Sequence, residues 1–250
     1  MADSNGKVDI GRVITNTFGV ISRNPVVFLG LSFLILGVPN AILQFVQGSP
    51  DVAATAIGSP TVIITSIVGL FVVMFFSVIL QATLVVATVK DLSGEKIDIG
   101  SCVSKAISKF LPLLGLGILV ALGVGFGMLL LIVPGIILAL MWMVSSPVMM
   151  TENLGVIDSM KRSAELTSGS KGMLFLLMII YLIAAAVIGS VIGGLGYAVG
   201  MASATGLAIF ALITNTITGA IQGAVVASIY VDLRTEKEGT NTHALADVFS

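Results

Sequence analysis

Three carboxylates close long apolar stretches of this chain: Asp91, Glu152 and Asp232. An acid so placed could exchange protons with a lipid headgroup, or it could simply end a helix. Little else in the chain would support catalysis. There is one cysteine, Cys102, and one histidine, His243. A structural zinc site takes four ligands, mostly cysteine and histidine, and a catalytic one takes three. No Walker loop, GxSxG or HExxH pattern occurs, and no apolar stretch holds a histidine that could ligate a haem. The expectation is a protein that is not an enzyme and carries no metal or cofactor. A headgroup-level enzyme using Asp91, Glu152 and Asp232 ranks behind two non-catalytic readings.

The first of those readings rests on cations. Lys105, Lys109, Lys161, Arg162 and Lys171 fall on short amphipathic segments beside apolar stretches. A lysine or arginine near an anionic membrane surface contributes about 1 kcal/mol to attraction. These five are the candidates for binding lipid headgroups, although basic residues also anchor topology. The second reading rests on uncharged polar residues inside the apolar stretches. Gln81, Asn215 and Gln222 could line an intramembrane path, as in a carrier or lipid-translocating protein, or could hydrogen-bond between helices. All Asp, Glu, Lys and Arg lie at stretch ends, in loops or in tails. Ion-coupled transport usually needs ionisable groups within the bilayer, so the lipid-organising reading leads.

Positioning these residues requires a membrane. The chain has 250 residues, of which 56% are hydrophobic and 10% charged, and its mean hydropathy is +1.11. Soluble domains carry about 25% charged residues. Six apolar spans can be drawn, at 26–47, 61–89, 110–132, 135–150, 172–200 and 202–231. A crossing helix needs about 20 residues. The third and fourth spans are joined through Val133-Pro134-Gly135, which reads as a tight hairpin. The 12 Lys and Arg residues fall in four patches, 7–23, 90–109, 161–171 and 234–237. The turns near 48–60, 133–134 and 200 carry only Asp51 and no Lys or Arg. Basic loops stay cytoplasmic, so both termini are expected there. An even number of spans demands the same. Cys102 lies in a basic patch and is expected as a reduced thiol. The net charge of -1 suggests no nucleic-acid partner. Membrane lipids, other membrane proteins or a second copy of the chain are the expected partners.

The charged segments also repeat. Val8-Asp9-Ile10-Gly11 recurs as Ile97-Asp98-Ile99-Gly100, and a weaker third copy begins at Gly155. Asp9 and Asp98 are placed to cap helices. After Asp98, Ile99, Cys102, Val103, Ala106, Ile107 and Phe110 share one helical face. Gln81 to Lys96 aligns without gaps to Gln222 to Lys237, with identity at the Gln, Asp and Glu positions. The expected fold is therefore all-α and polytopic: six transmembrane helices forming three parallel-repeat hairpins, each preceded by a cytoplasmic amphipathic helix. The repeats span 8–96, 97–152 and 153–237 of one membrane domain, with a polar tail at 238–250. The glycine pairs Gly189/Gly193 and Gly196/Gly200, with Gly115, Gly117, Gly123, Gly125 and Gly127, are expected to let helices approach closely.

The stretch from Leu129 to Phe175 contains Val133-Pro134-Gly135, Ser146-Pro147, Glu152, Gly155-Val156, Lys161-Arg162-Ser163 and Glu165-Leu166-Thr167. As a set these resemble the membrane domain associated with glycerophosphoryl diester phosphodiesterases and the related YciC-like proteins. The resemblance implies a six-span module of the bacterial inner membrane. In some relatives such a module is attached to a catalytic phosphodiesterase barrel. Here 19 residues follow Val231, so that activity is not carried over.

Overall fold

The computed structural model describes residues 8–47, 60–198 and 203–239, and these form helices joined by short connections. Lys7, most of the turn at 48–60 with Asp51, the Gly200 turn, His243 and all but the first two residues of the tail lie outside the described residues. Six helical stretches are long and apolar enough to cross a membrane: Pro25–Phe45, Ile63–Leu92, Phe110–Leu130, Ile132–Glu152, Lys171–Gly196 and Thr205–Glu238. This is the pattern of a multi-pass membrane protein.

Three shorter helices lie outside the spans. Helix α1 (Ile10–Arg23) precedes the first span, which comprises α2 (Pro25–Ser32), a π-helical turn (Phe33–Gly37) and α3 (Val38–Gln47). The second span is α4 (Pro60–Leu92). Helix α5 (Ile99–Ser108) leads into the third span, α6 (Phe110–Leu130). The fourth span is broken into α7 (Ile132–Met141) and α8 (Ser145–Glu152). Helix α9 (Val156–Thr167) leads into the fifth span, α10 (Lys171–Ala198), and the sixth span is α11 (Ala204–Glu238).

Asp9 caps α1 by accepting from the Arg12 N–H at 3.0 Å. Asp98 caps α5 through the Gly100 and Ser101 N–H groups at 3.2 and 3.1 Å. Those bonds hold the Asp98 carboxyl below the usual carboxylate range. Helix α9 starts at Gly155, without a side-chain cap.

Prolines explain the irregular spans. Pro39 has no N–H to offer the Ile35 carbonyl, and the preceding turn widens to π geometry, with Val38 N–H bonding to Phe33 O. Pro147 likewise deprives the Met143 carbonyl of its helical donor, and the fourth span breaks there. Trp142 O at the break accepts from Ser145, through its N–H at 3.2 Å and its hydroxyl at 2.6 Å. Met141 O accepts from Ser163 at 2.7 Å and from Thr167 at 3.3 Å, both on α9. Pro134 causes no break. The turn between the third and fourth spans falls on Leu131, which is extended. Pro134 and Gly135 sit in the first turn of α7, where a missing N–H costs nothing. The turn therefore comes earlier than Val133-Pro134-Gly135 suggests. Residues 129–133 are apolar and exposed, a surface suited to lipid.

The core lies at the basic end. Leu80, Leu84, Val85 and Val89 of α4, Val148 to Thr151 of α8, and Ala220, Ala224, Ala227 and Tyr230 of α11 are buried together. The second, fourth and sixth spans thus meet at one end, and the odd-numbered spans lie outside them. The first span runs along the sixth more than along the second. The glycines that permit close packing are mostly not those expected. A Cβ on Gly37 would meet Thr216 Oγ1 at 2.6 Å, and one on Gly223 would meet Leu84 Cβ at 2.6 Å. Gly123, Gly127 and Gly193 do face neighbours, across Trp142, Gly135 and Phe210. Gly115, Gly117, Gly125, Gly189 and Gly196 face nothing within 4 Å. Gly200 lies outside the described residues.

Candidate functional site at the basic end

Each acid that closes an even-numbered span is held by an arginine. Asp232 is buried, accepts from the Asp9 N–H at 3.0 Å and pairs with Arg12. Arg12 also reaches Glu236 at 2.6 Å. The Asp232 hydrogen bond, opposed by partial burial, raises the Arg12 pKa above its ordinary value. Asp91 pairs with Arg23 and accepts from Asn24 Nδ2 at 2.7 Å. Glu152 accepts from Arg162 Nε at 3.1 Å and from the Tyr230 hydroxyl at 3.0 Å. Arg162 also pairs with Glu238 and lies 3.7 Å from Glu165. Arg234 supports the same group through Glu238 at 2.9 Å and the Tyr230 hydroxyl at 3.1 Å. These carboxylates are occupied by cations and N–H donors, which is the role of a helix-end anchor.

The five cations singled out in the sequence divide accordingly. Arg162 is spent on Glu152, Glu165 and Glu238, so it belongs to the scaffold and not to an open headgroup site. Lys161 is exposed, with Asp158 at 4.0 Å. Lys171 starts α10 and is half-buried. Lys105 on α5 lies close to Lys109, the residue after the helix, and to Lys90 at the end of α4, whose Nζ lies 3.4 Å from Ser101 Oγ. Burial, then the neighbouring Lys90 and Lys109 charges, lower the Lys105 pKa. Lys90, absent from the candidates, joins this cluster because α5 folds back on the end of α4. In the sequence it only opens the 90–109 basic patch, with nothing to mark the fold-back.

Helix α5 divides its apolar face. Cys102 and Ala106 are buried against the protein, whereas Ile99 and Ile107 are exposed, with Val103 between them. At 100° per residue, Lys105 and Lys109 fall on the other side of Cys102 from that exposed strip. One short helix thus carries a basic edge and an apolar edge. Cys102 is fully buried and its thiol pKa is raised by burial, which keeps it protonated and unreactive.

Gln81, Asn215 and Gln222 lie on the second and sixth spans, which pack against each other. The Asn215 amide donates to Ala211 O of its own helix at 2.8 Å. Gln81 is half-buried on α4. Gln222 lines a cavity between the fourth, fifth and sixth spans. Among the described residues, no group of His, Cys, Asp and Glu could hold a metal ion. Comparison with family models, curated proteins and solved structures gives no match.

Proposed function

We propose that this is a non-enzymatic integral membrane protein that binds and organises anionic lipid at the cytoplasmic face of a bacterial inner membrane. The observation that carries the reading is the Lys90, Lys105 and Lys109 cluster beside the exposed Ile99 and Ile107 edge of α5. The apolar edge suits the acyl region, and the lysines suit the phosphate layer above it. The one-sided basic loops support cytoplasmic termini. A threefold repeat is supported by packing as well as sequence. Helix α5 rests on the end of the second span, α9 on the end of the fourth, and α1 on the end of the sixth. Each amphipathic helix thereby seats on the preceding hairpin, and the first closes on the last.

The test is lipid retention in native mass spectrometry. Lys105→Gln with Lys109→Gln should weaken retention of phosphatidylglycerol and cardiolipin by roughly 30-fold, from about 1 kcal/mol per lysine. Retention of phosphatidylethanolamine should not change. Because the Lys105 pKa is lowered, anionic-lipid retention should fall with rising pH earlier than ordinary lysines would dictate. Unchanged retention in the double variant would sink the proposal.

A further inference from the structure

We propose that the cavity beside the broken fourth span binds a neutral amphiphile: a lipid with hydrocarbon tails and a small, uncharged head bearing a hydroxyl or carbonyl. The cavity has a volume of about 160 Å³. Met143 lines it from the fourth span, Leu177 and Tyr181 from the fifth, and Gln222, Val226 and Ile229 from the sixth.

Three features point to an occupant with a polar group. Gln222 is exposed at its position in the span, and its amide bonds to no described residue. The Tyr181 hydroxyl likewise has no partner among the described residues. On the third wall, Met143 is the residue whose carbonyl Pro147 leaves without its helical donor. An unpaired amide surrounded by hydrocarbon is costly. Broken helices within membranes are tolerated where the freed backbone lines a cavity.

Depth decides the charge of the occupant. Tyr181 is ten residues from Lys171 and Gln222 ten from Asp232, and Met143 is nine from Glu152. At 1.5 Å per residue all three lie about 15 Å from the charged residues near the basic ends of their spans, inside stretches apolar enough to cross a membrane. The cavity has no charged lining residue, and a charge at this depth is unfavourable. An ordinary phospholipid keeps its phosphate at the surface, so it cannot present a polar group here. A neutral lipid that enters the bilayer interior can. It would offer acceptors to Gln222 and Tyr181. A second copy of the chain fits less well, because the unpaired groups line a recess and not a ridge.

The full chain in nanodiscs of phosphatidylethanolamine and phosphatidylglycerol tests this. The probe is diacylglycerol with a photoactivatable diazirine and an alkyne on one acyl chain, set against phosphatidylglycerol with the same chain. Diacylglycerol labelling should concentrate on peptides containing Tyr181 and residues 222–229, and excess unlabelled diacylglycerol should compete it away. Gln222→Leu and Tyr181→Phe should each reduce labelling roughly 3–10-fold, the worth of one hydrogen bond. Val226→Trp, which fills the cavity but keeps both polar groups, should also abolish it. The Lys105→Gln/Lys109→Gln pair should leave this labelling intact, which separates the site from the anionic-lipid reading. Equal labelling in the Gln222 and Tyr181 variants would overturn the inference. So would equal competition by phosphatidylglycerol, or conversion of a dimer to a monomer by Gln222→Leu.

Discussion

Asp91 and Asp232 occupy equivalent positions in a repeated segment, yet their surroundings differ. The Asp232 side chain is 0% exposed and that of Asp91 is 12% exposed. Asp232 bonds both Arg12 and the Asp9 N–H, whereas the Asp91 partner Arg23 is more than half exposed. An exposed ion pair contributes at most about 1 kcal/mol. Removing a buried acceptor costs about 1–3 kcal/mol in unsatisfied groups. Asp232→Ala should therefore destabilise the protein by about 1–3 kcal/mol, and Arg23→Ala by less than about 1 kcal/mol. Denaturant unfolding in mild detergent measures both, and equal losses would contradict the difference in burial. The sequence identified these acids as helix exits. It could not pair them, because Arg12 and Asp232 are 220 residues apart.

At the level of the helix, spacing is a poor guide to glycine function. The Gly189/Gly193 pair has the small-residue spacing of a packing motif, but a Cβ at Gly189 would meet open space. Gly37 has no second glycine four residues away, and a Cβ there would meet Thr216 Oγ1 at 2.6 Å and the Leu212 carbonyl at 3.2 Å. Backbone cannot give way as a flexible side chain can. Gly37→Leu should thus cost about 1–3 kcal/mol or more by overpacking, while Gly189→Leu should stay within about 0.5 kcal/mol. Comparing their unfolding midpoints in one detergent tests the contrast, and it fails if Gly189→Leu is the more damaging. The same lesson holds for α5. Its apolar periodicity was legible, but the division into a buried Cys102 side and an exposed Ile107 side depends on where α4 ends.

Across the whole molecule, tight packing and basic charge share one end. The inner ends of the even-numbered spans are buried together, and arginines from α1 and α9 hold their acids. Much of α10 and the outer half of α4 is exposed apolar surface, which lipid must cover. The proposed orientation rests on the charge bias. Single cysteines replacing Lys96 and Ser168, both exposed in connections at the basic end, should react with an impermeant maleimide only from the cytoplasmic side. One replacing Ser203 should react only from the opposite side. Labelling of Lys96→Cys and Ser203→Cys from the same side would refute the six-crossing topology. Native Cys102 is buried and should stay silent in the folded protein.

The sequence by itself determined the solvent, the number of spans, the helix caps at Asp9 and Asp98, and the side on which charge collects. These are local properties, set by composition, period and the nearest few residues. Tertiary structure decided which cations are spent and which are clustered, which glycines touch a neighbour, and which amide faces a cavity. Arg162 and Lys105 are alike as basic residues on amphipathic helices; packing brings three carboxylates to Arg162 and gathers Lys90 and Lys109 near Lys105. In lipid, apolar faces carry no label for protein or solvent, because both neighbours are hydrocarbon. The arrangement of helices therefore had to come from packing.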